Sequence, residues 1–277
     1  MLSEVAPAKL NLALHVRARR PDGYHELETL FVFARDGDRL SVARADVPSF
    51  TTTGPFAAAV GPAADNLVVR ADHAFRQAFA PDAAHAIVLD KHLPVASGIG
   101  GGSADAAATL RALARLHDVP LDTPRLMTIA ADLGADVPAC LIGRATVGRG
   151  RGDALTRIAG LGDMPALLVN PCVAVSTAAV FARWDGVDRG PLPEAGTTLA
   201  RALAGRNDLQ PPAEAVAPAI RDVLAGLSGC AGVVLARMSG SGATCFALFD
   251  DAAARDSAAA AIAATAPGWW TCATTIG

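Results

Sequence analysis

Pro94-Val95-Ala96-Ser97-Gly98-Ile99-Gly100-Gly101-Gly102-Ser103 is the stretch from which the rest of the chain can be read. Backbone amides freed of side-chain bulk, followed by a helix N-terminus, make an anion site, and phosphate is its natural ligand. Ala86 to Leu89 upstream reads as a buried strand, and Ala104 to Leu116 downstream is a run of strong helix formers. The pattern therefore predicts a strand, glycine loop, helix unit. No Gly-Lys-Ser or Gly-Lys-Thr closes the loop, and no suitably placed acid follows the next strand, so neither a Walker loop nor a dinucleotide fingerprint fits. Taken alone, the loop is either an anion cradle or a plain turn before a helix.

Working outward, Leu10, Leu12, Leu14 and Val16 alternate with Lys9, Asn11, Ala13 and His15, the two-residue period of a half-buried strand that puts Lys9 and Asn11 on one face. Arg20-Pro21-Asp22-Gly23 signals a turn, and Leu27 to Phe33 and Arg39 to Ala43 read as two further strands. Leu67 to Phe79 has apolar residues at helical spacing behind Asp65 as its possible cap. A second helix is predicted from Pro124 to Leu133, closing at Gly134, and Asp136-Val137-Pro138 reads as another helix start. Thr146 to Gly152 is rich in glycine and arginine, and a domain boundary is placed there, giving segments 1–152 and 153–277. Beyond it, Leu155 to Val175 is strand-like, Pro218 to Leu227 helical, and Val233 to Phe249 a glycine-interrupted hairpin; Pro191 to Gly196, Pro211 and Pro212 read as surface connections.

Composition narrows the function. The 277 residues are 52% hydrophobic and 18% charged with a net charge of -3, which disfavours a nucleic-acid partner. Cys140, Cys172, Cys230, Cys245 and Cys272 are odd in number and widely spaced, and are expected to be buried, reduced thiols. Met1 to Leu10 has no apolar core of signal-peptide length, and the alanine-rich stretch Ala252 to Ala266 is interrupted by Arg255 and Asp256. A cytoplasmic protein without a membrane partner is expected.

Several residues carry two readings. Lys9 and Lys91 are the only lysines among 24 lysines and arginines. A lone lysine is ordinarily a solvated charge, yet one retained where arginine serves as the general cation suits a site wanting a compact point charge. His15 lies about 20 Å along an extended strand from Lys9 and is set aside. Asp136 either caps the helix that Pro138 opens or takes a proton from an attacking hydroxyl. Tyr24 and His25 are either loop residues or a pair that stacks on and hydrogen-bonds a heterocycle. Ser239-Gly240-Ser241-Gly242-Ala243 is either a hairpin turn or a loop small enough to approach the first glycine loop closely.

Together these segments resemble the three motifs of the GHMP kinase superfamily. Pro94 to Ala107 resembles its phosphate loop, Leu133-Gly134-Ala135-Asp136-Val137-Pro138 its catalytic aspartate segment, and Met238 to Phe246 its third motif. Pro7-Ala8-Lys9-Leu10-Asn11-Leu12, followed by Asp22-Gly23-Tyr24-His25-Glu26-Leu27, is similar to the opening of the branch that acts on a cytidine diphosphate-linked methylerythritol; Asn207-Asp208-Leu209 fits the same branch. One departure is Ala104, where many relatives carry a second serine.

The resemblance implies an α+β fold of two domains, an N-terminal one like ribosomal protein S5 domain 2 and a ferredoxin-like C-terminal one, with the active site in the cleft between them. It implies ATP as phosphoryl donor and Mg2+ carried largely by ATP oxygens and water, with no metal ligand named. Lys9 and Asp136 are then the catalytic cation and base. Pro94, Ala96, Ser97, Gly98, Ile99, Gly100, Gly101, Gly102 and Ser103 wrap the ATP phosphates, and Asn66 lies near the adenosine. Tyr24 stacks on the cytosine, His25 hydrogen-bonds it, Phe181 forms an opposite wall, and Asn11, Gly240 and Ser241 complete the acceptor side. Lys91 is left as a surface charge. The other possibilities are another GHMP kinase, for homoserine, mevalonate or a sugar, and a nucleotide-binding regulator without turnover.

Overall fold

The computed structural model describes residues 1–277, the side chain of Ala64 excepted. The chain divides into two compact units, one comprising residues 1–8, 36–95 and 100–143 and the other residues 9–35, 96–99 and 144–277. Two long strands, β1 (Leu2–Arg19) and β2 (His25–Ala45), contribute residues to both.

In the first unit β2 pairs antiparallel with β4 (Ala84–Asp90), from Arg39 opposite Asp90 to Ala45 opposite Ala84, and β3 (Ser49–Thr53) runs parallel on the far side of β4. Four helices complete it: α1 (Leu67–Phe79), α2 (Gly101–Leu116), α3 (Pro124–Leu133) and α4 (Val137–Ile142). α2 packs on α1, α3 and α4, and its residues Ala104 to Ala114 are buried except Arg111. Small side chains along α2 let its neighbours approach, and Val68, Phe75, Leu110 and Leu126 fill what remains at interior density.

The second unit carries an antiparallel sheet in which β2 is followed by β10 (Trp270–Ile276), β7 (Met164–Asn170), β9 (Cys245–Phe249) and β8 (Val233–Met238). β2 also pairs with β1 and with β5 (Thr146–Gly150), which pairs with β6 (Ala154–Arg157). Helices α5 (Thr177–Ala182), α6 (Thr198–Ala204), α7 (Gln210–Val216), α8 (Ala219–Ser228) and α9 (Ala252–Thr265) belong to the same unit. Leu167, Val169, Ile220, Val223, Phe249 and Ile262 form its core, the apolar faces of α8 and α9 meeting the sheet.

Several expectations need correction. β1 is covered on both faces, with Lys9, Asn11, Ala13 and His15 as buried as the alternating leucines, so the period of two marks the strand but not a wet side. The two strands expected between Leu27 and Ala43 are one continuous β2. The cap of α1 is Asn66, whose side chain accepts from the Val68 amide at 2.8 Å, rather than Asp65. Pro211 and Pro212 open α7, where their missing amide hydrogens cost nothing, instead of marking a loop. Cys140 and Cys245 are buried, but Cys172 is exposed and Cys230 and Cys272 are half-buried. Lys91 is no surface charge: it is 3% exposed and paired with two carboxylates. Among the described residues no helix is long and apolar enough to cross a membrane.

Candidate active site

In the second unit the first strand, the glycine loop and the 239–242 turn are stitched together. The Lys9 amide donates to the Ile99 carbonyl at 2.9 Å, and the Thr244 amide donates to the Ser97 carbonyl at 3.0 Å. The buried Ser239 hydroxyl accepts from the Asn11 amide and donates to the Gly98 carbonyl, both at 3.1 Å. Gly98 and Gly240 permit this approach, both in the left-handed region: a Cβ on Gly98 would lie 2.6 Å from the Ser239 carbonyl oxygen, and one on Gly240 2.7 Å from that of Gly98. The second glycine cluster is thus both a hairpin turn between β8 and β9 and a close partner of the first. Asn207 holds the turn from beneath, its side-chain amide donating to the carbonyls of Met238 and Gly240 at 2.8 Å each. The Ser241 and Thr177 hydroxyls lie 2.9 Å apart.

Lys9 is 3% exposed. Its ammonium donates to Asn11 Oδ1 at 3.0 Å and lies 5.1 Å from the centre of the Phe31 ring, while Asn11 donates onward to the Thr29 hydroxyl at 2.8 Å. These contacts hold a point charge on a short leash beside the glycine loop. His15, six residues along, is a structural group: it faces the Gly190 carbonyl at 3.2 Å and accepts from the Arg206 amide at 3.1 Å, and burial, then the Arg206 charge, lowers its pKa.

The same unit gathers His25, Phe181 and Trp184. The His25 ring lies 4.8 Å from that of Phe181 and 5.7 Å, edge-on, from that of Trp184. Phe181 lies in the last turn of α5 and Trp184 two residues beyond the helix, where its amide donates to the Phe181 carbonyl at 3.1 Å. The His25 Nε2 is buried and makes no hydrogen bond, and burial, then the charge of Arg19, lowers the pKa of the ring. A neutral imidazole with one nitrogen unanswered among aromatic walls is a built-in partner for a polar heterocycle. Tyr24 is 53% exposed, with the Arg151 guanidinium 4.9 Å from the centre of its ring. Trp184 carried no signal in the sequence, and Ser239 was legible only as a member of the second glycine cluster, because their contacts depend on what folds against them.

The first unit holds the other candidates. Asn66 caps α1. Gly100, left-handed at φ 63°, precedes α2, whose first residues are Gly101, Gly102 and Ser103. Pro94 is buried, and Ala96, which belongs to the second unit, is left-handed at φ 52°. Asp136 stands immediately before α4, half-buried, and its side chain makes no capping hydrogen bond, so the capping alternative is not realised. Among the described residues no group of three or more His, Cys, Asp and Glu side chains is arranged to hold a metal ion.

Comparison with known proteins agrees with these segments. Residues 66–144 match the GHMP kinases N terminal domain and residues 191–268 the GHMP kinases C terminal domain. The chain is 54% identical over 272 residues to 4-diphosphocytidyl-2-C-methyl-D-erythritol kinase of Rhizorhabdus wittichii, covering 97% of this chain and 92% of that one. The crystal structure of a 4-(cytidine 5'-diphospho)-2C-methyl-D-erythritol kinase superposes with a TM-score of 0.83 at 36% identity, over 100% of this chain and 99% of that one. Homoserine kinase from Cytophaga hutchinsonii, at a TM-score of 0.67 and 18% identity over 99% and 97% of the two chains, shares the fold.

Proposed function

The chain belongs to the GHMP kinase family, and we propose that it transfers the terminal phosphoryl group of ATP to the 2-hydroxyl of 4-diphosphocytidyl-2-C-methyl-D-erythritol, giving the 2-phosphate and ADP. In this reading it serves non-mevalonate isoprenoid precursor synthesis in the cytoplasm, with no nucleic-acid or membrane partner. The observation that carries the choice of acceptor is the His25 cluster, where a buried, unanswered ring nitrogen sits against Phe181 and Trp184 beside an exposed Tyr24. Homoserine, mevalonate and sugars present no pyrimidine to such a cluster, and the 54% identity to a relative bearing the cytidylyl kinase name points the same way.

Phosphoryl transfer asks chiefly for positioning and charge neutralisation. The main-chain amides of residues 96–103 hold the phosphate oxygens, with Asn66 at the adenosine, and magnesium accompanies ATP as part of the substrate. Lys9 holds the acceptor oxygen and favours its anionic form. Asp136 takes the hydroxyl proton, the oxygen bonds to the γ-phosphorus, and the bond to the bridging oxygen breaks as ADP leaves with the electron pair. Tyr24 stacks on the cytosine, His25 Nε2 bonds its polar edge, Phe181 forms the facing wall, and Asn11, Gly240 and Ser241 shape the acceptor side.

Purified protein incubated with ATP, magnesium and, separately, the cytidylyl substrate, homoserine and mevalonate is expected to release ADP with the first alone; equal or absent release with it refutes the assignment. Asp136→Asn is expected to keep ATP affinity while turnover falls at least about a hundredfold, the low end for a general base. Turnover that survives the substitution removes Asp136 from that role.

A further inference from the structure

Three buried ionisable side chains that the mechanism above does not use meet beneath the start of α2. Lys91, one residue beyond β4, donates to Asp38 Oδ2 at 2.5 Å and to Asp105 Oδ2 at 2.7 Å, and the side chains of all three are at most 4% exposed. Asp38 comes from β2, and its other oxygen accepts from the amides of His92 at 2.6 Å and Leu93 at 2.8 Å, the residues that lead the chain into the loop. Asp105 lies in the opening turns of α2, the helix that leads the chain out. A Cβ on Gly101 would sit 3.1 Å from the Lys91 ammonium, which therefore lies directly under the first helical residue.

The arrangement is expensive. Burying three ionisable groups costs several kcal/mol for each ion before their mutual attraction is counted, and well-packed apolar residues commonly do as well or better for stability. An ammonium at a helix N-terminus also opposes the dipole, and only the two carboxylates reverse that. What the cluster supplies is geometry: one ammonium with two anchored carboxylates fixes the entry strand, the loop entrance and the first turn of α2 relative to one another. Amide groups that must meet phosphate oxygens tolerate little displacement.

We propose that Asp38, Lys91 and Asp105 are positioning residues, a buried brace that sets the first turn of α2 for the phosphates of ATP and so governs nucleotide affinity rather than the chemical step. The proposal rests on the kinase reading. In Asp105→Asn, which keeps the shape and replaces the ionisable carboxyl with an amide, the dissociation constant for MgADP measured by calorimetry is expected to rise at least tenfold, and the KM for ATP in parallel. The kcat and the KM for the acceptor stay within about threefold at temperatures where circular dichroism shows the protein folded. Lys91→Met is expected to do the same and to lower the melting temperature. Adding Asp105→Asn to Lys91→Met restores part of the melting temperature, by removing one of two facing carboxylates, and leaves MgADP affinity low.

Unchanged MgADP affinity in folded Asp105→Asn overturns the brace, as does a uniform loss of kcat and both KM values that tracks the folded fraction. Joint recovery of stability and affinity in the double variant overturns it too. If Lys91→Met does not fold, Asp105→Asn decides by itself. A wild-type protein that binds no MgADP sinks the kinase reading instead, which keeps the two failures apart.

Discussion

The chain has two lysines, both 3% exposed, and their recorded contacts differ. Lys91 is over-matched, one ammonium against two carboxylates. The contacts of Lys9 include a neutral amide and the face of an aromatic ring, so part of its coordination is soft. Burial is the same and purpose is not. An ammonium held between two fixed carboxylates works as a joint in the scaffold, whereas the role proposed for Lys9 asks its ammonium to meet the acceptor oxygen.

That contrast sets the expected sizes of effect. Lys91→Met strands two carboxylates in a dry site and is expected to cost about 3–5 kcal/mol in urea unfolding, as for a broken buried pair. A loss below about 1 kcal/mol would erase the difference between the lysines. Lys9→Met is expected to lower kcat about 10²- to 10³-fold, the scale for losing one preorganised charge-stabilising group, with a much smaller change in unfolding free energy than Lys91→Met; the reverse ranking would exchange their roles. Away from both lysines, Tyr24→Ala is expected to weaken acceptor binding by about 1–3 kcal/mol and leave ATP untouched, the range for one stacked base. An unchanged KM for the acceptor would take Tyr24 out of the site.

The smallest expected signal is a pH slope. Burial first, and then the Asp38 charge against the pull of Lys91, pushes the Asp105 carboxyl from 3.8 up to about 7. The folded protein then retains a proton that the unfolded chain releases. Its contribution to stability is full below pH 3.8, declines as pH rises towards about 7, and is flat above. The slope is at most about 1.4 kcal/mol per pH unit. Urea unfolding across pH 4 to 7 should show this decline in the wild type and a flatter profile in Asp105→Asn; identical profiles would mean that Asp105 ionises normally within the cluster.

Local signals in the sequence carried far. Leu67 to Phe79 was legible to the residue, because one apolar face at 3.6-residue spacing is a property of the segment itself. The hairpin of β8 and β9 was legible because small residues interrupt two apolar runs. Partners distant in sequence were not. Asp36-Gly37-Asp38 looks like a break between two strands, yet β2 runs straight through it. Gly37 is there because a Cβ would lie 1.9 Å from the Ala6 carbonyl oxygen, and Asp38 because Lys91, 53 residues on, needs a partner. The cap was misplaced by one residue for a related reason: Asp65 and Asn66 are equally good caps on paper, and the backbone decides which one faces the Val68 amide.

The amino-acid order alone fixed what depends on neighbours along the chain: the strand period through Lys9, the helix after the glycine loop, the turn before Tyr24, and motifs that resemble a kinase family. Tertiary structure alone decided which charges are dry and what answers them. Alternation in β1 could not say that both its faces are covered, and nothing around Lys91 could announce Asp38 and Asp105. The reason is physical: backbone preference acts over a few residues, whereas the cost of burying a charge is set by whatever the fold brings within about 3 Å of it.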